Sequence, residues 1–440
     1  MNPCPRGQDG SASPGADGIL ADLHVHVARA LGRPVKVAAS ARLTIPGIIE
    51  ESLERKGLDV IGLVDAHSPP VLAELDGLVR AGEVVELPGG GLLAGAPVDG
   101  SGSRPPGGGG RRRSLVLIPA SEVEVVEPGL GPVHYLCYLP DLSTARSFSR
   151  HLAPLVHNPV MSSPRARLTG EELACWVGAA GGFVVPAHVF TPHRGFFGQG
   201  GRDLRQVLSD RALAAVPAVE LGLSADTALA DLVGSLSSLT YLTNSDAHSL
   251  ESIGREHNSF APPVEPDRSG RPLDFRELAA TVRAGRLLAN YGLDPRLGKY
   301  HRAFCPKCGY SPGGRDVAVG RVCPSCGKAG LVGGVLDRIR ALAAARDDAP
   351  EVFAGPPRRR PPYVHLVPLR YVPGVGPATR RKLLSTFGTE MDVLHRAGPD
   401  ELAAAAGPKT ASLILAARSG TLSVPIIPGA GGRYGRVRPQ

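Results

Sequence analysis

The stretch ILADLHVHV, residues 19–27, alternates apolar and polar side chains as a half-buried β-strand does. Its histidines, His24 and His26, are two residues apart, so both imidazole rings project from the same face of that strand. The next segment, IPGIIESLERKG (45–57), has a helical pattern, and LDVIGLVDAH (58–67) is a continuous apolar strand. These segments predict a β-α-β unit with a pair of histidines at the end of its first strand.

Strand and helix patterns continue to alternate from this unit up to residue 298. This alternation predicts the α/β fold class, as a barrel or a sheet. The further apolar strands lie at 114–125, 133–140, 182–188, 215–221 and 239–248. The stretch 88–113 interrupts the pattern with glycine, proline and arginine, and we predict that it is a flexible surface insertion.

The composition excludes global disorder, since 42% of the 440 residues are hydrophobic and only 20% are charged. Arginine accounts for most of the basic residues behind the net charge of +8, and guanidinium groups suit phosphate partners. No run of about 18 apolar residues occurs, and the N-terminal stretch lacks the apolar segment of a signal peptide. We therefore predict a soluble, cytoplasmic protein with no membrane partner.

The chain is predicted to contain one large domain followed by two small ones. The predicted regions are a disordered leader (1–16), the α/β domain (17–298), a four-cysteine zinc module (299–331), a helix with a Pro/Arg linker (332–365), a helix-hairpin-helix domain (366–421) and a disordered tail (422–440).

The spacing of His24 and His26 recurs in two further pairs, each at the end of a predicted strand. These pairs are Asp65 with His67 and Asp246 with His248. A single buried histidine is more often a core residue than a ligand, but burying this whole set is unfavourable unless metal ions neutralise its charges. The set therefore predicts a metal site at the carboxyl ends of the strands, where barrel active sites assemble. Its members are His24, His26, Asp65, His67, Glu122, His134, His188, Asp246 and His248.

The carboxylates in this set indicate what such a site does. A carboxylate can bridge two cations, and ions held in this way stabilise the attacking and leaving oxygens of a phosphate ester. We therefore predict phosphoester hydrolysis, with Glu122 and Asp246 as the central carboxylates. Arg255 and Arg194 are candidates for stabilising charge on the phosphate, although surface salt bridges are an equally common use of arginine. His and carboxylate ligands accept Zn, Mn, Mg or Fe.

Two Cys-x-x-Cys-Gly motifs, separated by 14 residues, follow the barrel. Four thiolates at this spacing predict one tetrahedral structural zinc ion. The ligands are Cys305, Cys308, Cys323 and Cys326.

Near the C-terminus, VPGVGPATRRKLLSTFG (372–388) resembles a helix-hairpin-helix motif. Its glycine-rich turn would expose backbone N–H groups at a helix N-terminus, where a DNA phosphate can bind. ELAAAAGPKTASLILAA (401–417) resembles a second, degenerate copy. A small helical bundle or a protein-docking module is the alternative interpretation. The predicted DNA-binding residues are Gly374, Val375, Gly376, Arg380, Arg381 and Lys382.

The segments DLHVH, PASE, VHYL, PAH and SDAH resemble the PHP (polymerase and histidinol phosphatase) domain family over about residues 17–298. The resemblance implies a distorted seven-stranded β/α barrel with a trinuclear metal site. The ligands that it implies are His24, His26, Glu122 and Asp246 for one ion, Glu122, His134 and His188 for a second, and Asp65, His67 and His248 for a third.

The segments VELGLSAD (219–226), NSDAHSLESIGRE (244–256) and GKYHRAFCPKCG (298–309) resemble the endonuclease Q family, whose members nick DNA on the 5′ side of deaminated bases and of abasic sites. The resemblance implies a metal-dependent DNA endonuclease with up to three divalent ions in the barrel, one structural zinc, and damaged duplex or single-stranded DNA as its partner. A small-molecule phosphatase of the histidinol-phosphate type and an inactive DNA-binding scaffold are the alternatives.

Overall fold

The computed structural model describes residues 15–95, 114–262, 272–312, 322–345, 358–422 and 426–437. Its strands are β1 (Ile19–Val25), β2 (Arg29–Ala30), β3 (Arg33–Pro34), β4 (Val60–Leu63), β5 (Val84–Glu86), β6 (Leu92–Gly95), β7 (Ser114–Val126), β8 (Pro132–Tyr138), β9 (Phe183–Pro186), β10 (Ala218–Glu220), β11 (Thr240–Leu242), β12 (His257–Phe260), β13 (Leu287–Gly292), β14 (Tyr363–His365), β15 (Ile426–Ile427) and β16 (Arg436–Val437).

The α-helices of the described residues alternate with these strands and then form a helical domain. They are α1 (Ile45–Glu50), α2 (Pro69–Arg80), α3 (Leu142–Leu152), α4 (Gly170–Ala179), α5 (Asp210–Leu213), α6 (Thr227–Ala230), α7 (Phe275–Ala284), α8 (Val335–Ala344), α9 (Pro377–Phe387), α10 (Pro399–Ala406) and α11 (Pro408–Arg418). None of the helices in the described ranges is long and apolar enough to cross a membrane.

The predicted β-α-β unit is present, and local sequence explains its boundaries. Thr44 caps α1 by accepting a hydrogen bond from the backbone N–H of Gly47. A π-helical segment, Glu51–Lys56, continues α1. Gly57 then ends the helix with a φ of 78°, a left-handed conformation that glycine adopts without steric cost. Strands β1 and β4 of the unit pair in parallel.

Strands β1, β4, β7, β8, β9, β10 and β11 follow one another around the main core. β1, β4 and β7 pair in parallel, and β7, β8 and β9 pair antiparallel. Two backbone hydrogen bonds link the β9 region to the β10 region. Val184 N, in β9, donates to Ala215 O, before β10, at 2.8 Å, and Val189 N, after β9, donates to Glu220 O, in β10, at 3.0 Å. A short parallel bridge between Val25 and Ala247 joins the end of the series to β1. This arrangement is a distorted barrel whose hydrogen-bonded ladder is interrupted at two places.

Alternation along the strands explains how this barrel is filled. Leu23, Val60 and Tyr138 belong to one buried apolar cluster, whereas Leu20 and Ile61 belong to a second one. Both faces of these strands are therefore buried, which is why they are continuous apolar runs in the sequence. The polar residues at the strand ends remain for the site.

The insertion predicted at 88–113 begins later than expected. Residues 92–95 form β6, which pairs with β5 and with the first residues of β7. The apolar side chains Leu92 and Ala94 supply the reason, because both are buried in the core. The remainder, 96–113, and most of the predicted leader, 1–14, lie outside the described residues.

The segment predicted as a linker ends in a strand rather than a loop. β14 pairs in parallel with β13, and the helical domain then packs on this edge of the sheet through Tyr291, Leu383 and Ile414, among others. A buried ion pair between Lys56 Nζ and Glu390 Oε2, 2.9 Å apart, also joins the barrel to the helical domain. The helical domain is therefore docked on the barrel.

The predicted disordered tail also differs from the structure, since β15 and β16 form an antiparallel ribbon. Backbone hydrogen bonds attach this C-terminal ribbon (426–437) to the segment between β13 and the zinc module. Gly429 N donates to Arg296 O at 2.7 Å, and Gly435 N donates to Leu297 O at 2.9 Å. Glycine permits this contact because any Cβ at either position would clash with backbone atoms.

Candidate metal centre

The centre begins with the two histidines at the end of β1. His24 and His26 are fully buried, and their Nε2 atoms lie 3.3 Å apart. The rings converge because side chains two residues apart share one face of a strand. The structure thus brings together the first two ligands predicted from the sequence.

Glu122, in the middle of β7, connects this pair to a second group of histidines. Its two carboxylate oxygens lie 3.6 Å from His24 Nε2 and 3.6 Å from His26 Nε2. Oε1 also lies 2.7 Å from His134 Nδ1 and 3.5 Å from His188 Nε2. The position of one carboxylate between two groups of imidazoles is the geometry of a bridging ligand.

Asp246 follows β11 and closes the first group. Its Oδ1 lies 3.5 Å from the Nε2 atoms of both His24 and His26. Asp246 and His188 have φ values of 46° and 31°, in the left-handed region that non-glycine residues rarely adopt. Such strain costs about 1–3 kcal/mol per residue and persists only where surrounding contacts hold the backbone. Both residues are therefore held in place by the fold.

The ligand atoms of these side chains form compact groups within 4.8 Å of one another. Imidazole nitrogens and carboxylate oxygens in this mixture are donors that Zn, Mn and Fe accept, so the residues fit the ions expected from the sequence. The groups are His24, His26 and Glu122; His26, Asp246 and His248; and Glu122, His134 and His188.

The third predicted ligand set, Asp65, His67 and His248, is not brought together in this way. Asp65 Oδ2 lies 3.1 Å from His26 Nδ1 and accepts a 2.8 Å hydrogen bond from the backbone N–H of Val27. His67 Nε2 lies 3.0 Å from the carbonyl oxygen of Met161. Asp65 is therefore placed to orient His26 from behind the metal-facing side of the ring.

Glu220 has the same relation to His24 and was not selected from the sequence. Its carboxylate lies 3.0 Å from His24 Nδ1 and accepts hydrogen bonds of 2.9 Å from Asn244 Nδ2 and from the backbone N–H of His188. This buried carboxylate therefore contacts both the imidazole ring of His24 and the strained backbone of His188. Glu220 ends an apolar strand, as Asp65 and Asp246 follow one, and this shared position in the sequence could have identified it as a candidate site residue.

The charges of the centre set its affinity for protons. Burial alone would raise the pKa of Glu122, but His134, Lys36 and His188 together outweigh it, so the pKa lies well below its ordinary value. Burial lowers the pKa of His24, but Glu220 and Asp246 more than offset this and raise it to about 10. A metal ion must displace a proton from His24, so ion binding should strengthen as the pH rises.

Both arginines proposed as phosphate ligands are engaged elsewhere. The guanidinium of Arg255 donates to the carbonyl oxygen of Ser245 at 3.0 and 2.8 Å, and its NH1 donates to the Tyr434 hydroxyl at 3.0 Å. Arg194 donates to Glu124. Arg255 therefore holds the backbone that precedes Asp246. Arg194 is bound to the carboxylate of Glu124, whose Oε2 lies 3.5 Å from His134 Nε2.

A cavity of about 1820 Å³ opens from the centre toward the helical domain and the C-terminal ribbon. Its volume exceeds the ~300–1,000 Å³ of ordinary small-molecule pockets. Tyr434 of the ribbon is 41% exposed in this cavity, with Lys299 Nζ 4.7 Å from its ring centroid. The cations that line the cavity are Arg194, Arg255, Arg296, Lys299, Arg370 and Arg436.

The four predicted zinc ligands form a second, separate group. Sγ of Cys305 lies 3.8 Å from Sγ of Cys326, and Sγ of Cys308 lies 3.7 Å from Sγ of Cys323. A tetrahedron with zinc–sulfur bonds of about 2.3 Å has edges of about 3.8 Å. The spacing of the sulfurs therefore fits one zinc ion.

The helix-hairpin-helix segment has its turn on the surface. Gly374, with a φ of 85°, and Gly376, the N-cap of α9, are both exposed, whereas Val375 between them is buried in the core of the helical domain. A Cβ on Gly374 would lie 3.0 Å from the Thr410 hydroxyl, so the turn that starts α11 is adjacent. The predicted cations Arg381 and Lys382 are exposed, and Arg380 is partly exposed.

Comparison with known proteins agrees with this architecture. No protein-family model matches the chain. Protein YqxK of Bacillus subtilis is 40% identical over 426 residues, which cover 96% of this chain and 99% of that protein. Protein MJ0043 of Methanocaldococcus jannaschii is 37% identical over 238 residues, which are 50% of this chain and 28% of that protein.

The crystal structure of the lesion-specific endonuclease PfuEndoQ from Pyrococcus furiosus matches with a TM-score of 0.72 at 29% identity and covers 96% of this chain and 95% of that chain. The chain belongs to the endonuclease Q family. A structure of Endonuclease Q with a 27-mer duplex substrate, which carries an abasic lesion at the active site, gives the same TM-score and covers 96% of both chains. The predicted fold class and family are confirmed, and the chain is an enzyme of the hydrolase class.

Proposed function

We propose that this endonuclease Q family member is a metal-dependent DNA endonuclease that hydrolyses the phosphodiester bond on the 5′ side of a damaged base. The observation that carries this proposal is the position of Glu122 between two groups of histidines, in a centre that opens into a large cavity lined by cations. The endonuclease Q complex with a lesion-containing duplex supports DNA as the substrate.

We assign the proposed ions to residues on the basis of these ligand groups. His24, His26, Glu122 and Asp246 would hold one ion, and Glu122, His134 and His188 a second. When bound, divalent ions acidify a water molecule and neutralise charge on phosphate oxygens. Asp65 and Glu220 would orient the rings of the first group, because each accepts a hydrogen bond from the Nδ1 side of one of its histidines.

A third ion remains part of the proposal, with His248 as its ligand. His248 lies in one group with His26 and Asp246. Asp65 Oδ1 and His67 Nδ1 are buried and have no hydrogen-bond partner among the described residues, so each offers an acceptor site for such an ion. Metal analysis of the purified protein gives the number of ions directly.

The parts outside the barrel would bind the DNA backbone. The exposed turn of Gly374 and Gly376 and the exposed Arg381 and Lys382 suit phosphates of either strand, whatever the base sequence. The zinc ion would stabilise the short module that connects the barrel to α8. A small-molecule phosphatase does not need an extended phosphate-binding surface outside its active site. The exposed turn and its cations therefore favour a polymeric substrate.

The test compares substrates with purified protein in Mg²⁺, Mn²⁺ or Zn²⁺. We expect a nick in duplex DNA that contains uracil, little cleavage of undamaged duplex of the same sequence, and no hydrolysis of 4-nitrophenyl phosphate. Asp246→Asn removes a ligand charge without changing volume, so cleavage should disappear while DNA affinity is retained. Asp210→Asn, at a side chain that is 94% exposed, is the matched control.

Two results would contradict the proposal. Efficient hydrolysis of the phosphate monoester without DNA cleavage would favour the small-molecule phosphatase. DNA binding without any hydrolysis in the three metals would favour the inactive scaffold.

A further inference from the structure

A short hairpin follows the two histidines of β1 and returns the chain to the metal centre. β2 and β3 pair in this hairpin, and the backbone N–H groups of Val35 and Lys36 both donate to the carbonyl oxygen of Ala28, at 2.8 and 3.2 Å. Ser162 N donates to Val35 O at 2.9 Å, which ties the hairpin to a neighbouring loop. Val35 is fully buried. The backbone at Lys36 is therefore fixed from two sides.

The side chain of Lys36 points into the centre. Its Nζ lies 2.8 Å from His26 Nε2, 3.2 Å from Ser163 Oγ and 3.7 Å from Glu122 Oε2. Only 15% of the side chain is exposed. Placing an ammonium group at such a position is unfavourable unless anionic groups compensate it. Glu122 supplies part of that compensation, and a substrate phosphate would supply more.

The two arginines predicted to stabilise the phosphate do not lie beside Glu122 and His26, where the ammonium group of Lys36 lies. Arg255 is bound to the Ser245 carbonyl and to Tyr434, and Arg194 is bound to Glu124. Among the lysines and arginines with described contacts, Lys36 is the one that contacts both Glu122 and His26. The position beside the bridging carboxylate is where the attacked phosphorus must lie if the ions act on its oxygens.

We propose that Lys36 is a catalytic residue that contacts a non-bridging oxygen of the attacked phosphodiester. His26 Nε2 has one lone pair, so its use as a metal ligand frees Lys36 Nζ for a substrate oxygen. In the reaction, the oxygen of water forms the new bond to phosphorus and releases a proton to solvent, while the bond to the leaving oxygen breaks with its electron pair and that oxygen takes up a proton from solvent. Lys36 keeps its proton throughout and stabilises the added charge on the phosphate.

This inference rests on the proposed phosphodiester hydrolysis but does not require DNA as the substrate. The test therefore uses two substrates, the uracil-containing duplex and bis(4-nitrophenyl) phosphate, a phosphodiester that needs no DNA-binding surface. The variants are Lys36→Met, which keeps the length of the side chain without its charge, and Lys36→Arg. Arg33→Met, at an exposed position of the same hairpin, is the matched control.

For Lys36→Met we expect kcat on both substrates to fall about 100- to 1,000-fold, the usual effect of removing one group that stabilises a transition-state charge. The metal content per chain, measured by elemental analysis, and the affinity for DNA should stay unchanged. Lys36→Arg should recover part of the rate because it restores a cation. Arg33→Met should behave as the unaltered protein.

Three outcomes would overturn the assignment. Lys36→Met with full activity would show that the ammonium has no part in catalysis. An additional ion per chain in Lys36→Met would show that the lysine occupies the place of a metal, and loss of ions would show that it supports the metal site. If the unaltered protein hydrolyses the small diester but not DNA, the proposed DNA function fails and the Lys36 comparison still gives a result.

Discussion

Replacement of Glu220 by glutamine tests how the metal ligands are positioned. The carboxylate of Glu220 meets three N–H donors, at 3.0 Å from His24 Nδ1 and at 2.9 Å from both His188 N and Asn244 Nδ2. Glutamine has nearly the same size, but one end of its amide carries hydrogens. At least one of the three donors would therefore face another donor. The change also removes a charge that raises the pKa of His24, which makes its proton easier to displace and offsets part of this effect on metal binding.

The expected magnitude follows from these contacts. A buried donor left without an acceptor costs about 1–3 kcal/mol. Loss of a carboxylate behind a metal-ligating histidine typically lowers metal affinity about 10- to 100-fold. Since a factor of ten corresponds to about 1.4 kcal/mol, the two ranges agree. We expect the dissociation constant for Mn²⁺ at the barrel to rise about 10- to 100-fold in Glu220→Gln.

The measurement is titration of chelator-treated protein with Mn²⁺ at pH 7.5 in competition with a metal-sensitive dye. Glu86→Gln, at an exposed position on the edge strand β5, is the control for loss of a carboxylate elsewhere. Circular dichroism establishes that both variants are folded. An unchanged dissociation constant in folded Glu220→Gln would refute the positioning role of this carboxylate.

Three further predictions concern other parts of the chain. Cys323→Ser should release about one zinc per chain and make the region 299–331 sensitive to protease, and an unchanged zinc content would rule out the tetrahedral site. The double variant Arg381→Gln, Lys382→Gln should lower the slope of log affinity for DNA against log salt by roughly two, without changing kcat at saturating DNA, and a constant slope would favour a protein-docking role. Burial raises the pKa of Glu256 to about 8, so the folded state retains a proton that the unfolded chain loses, and stability should fall between about pH 5 and pH 8. Glu256→Gln should remove this decline, which thermal unfolding of both proteins at pH 6 and pH 9 would measure. If the difference in stability between the variant and the unaltered protein is the same at the two pH values, this prediction is contradicted.

The docking of the helical domain affects how the DNA binding proposed for this domain is tested. Truncation near Pro362 would remove β14 and the helices that cover Tyr291 and would leave Lys56 without Glu390. Breaking a buried ion pair by removing one partner costs about 3–5 kcal/mol. A truncated chain would therefore lose stability as well as the proposed DNA contacts, whereas the exposed Arg381 and Lys382 can be changed without this loss of stability.

The sequence by itself determined the features that depend on short spacing. Side chains at i and i+2 share a strand face, so the convergence of His24 and His26 could be read from the pair alone. The two Cys-x-x-Cys-Gly motifs likewise place their sulfurs by local turn geometry. The strand and helix patterns and the family resemblance indicated the barrel, which the structure confirms as a distorted one.

Only the tertiary structure decided which polar residues lie next to one another. Asp65, Glu220 and Asp246 all follow or end apolar strands, and nothing in their local sequence separates a metal ligand from a carboxylate that orients a histidine. That distinction depends on which strands are neighbours and on their register, as in the parallel pairing of Glu220 with Leu242. The placement of Lys36 beside Glu122 has the same cause, because side chains 86 residues apart meet only through long-range packing.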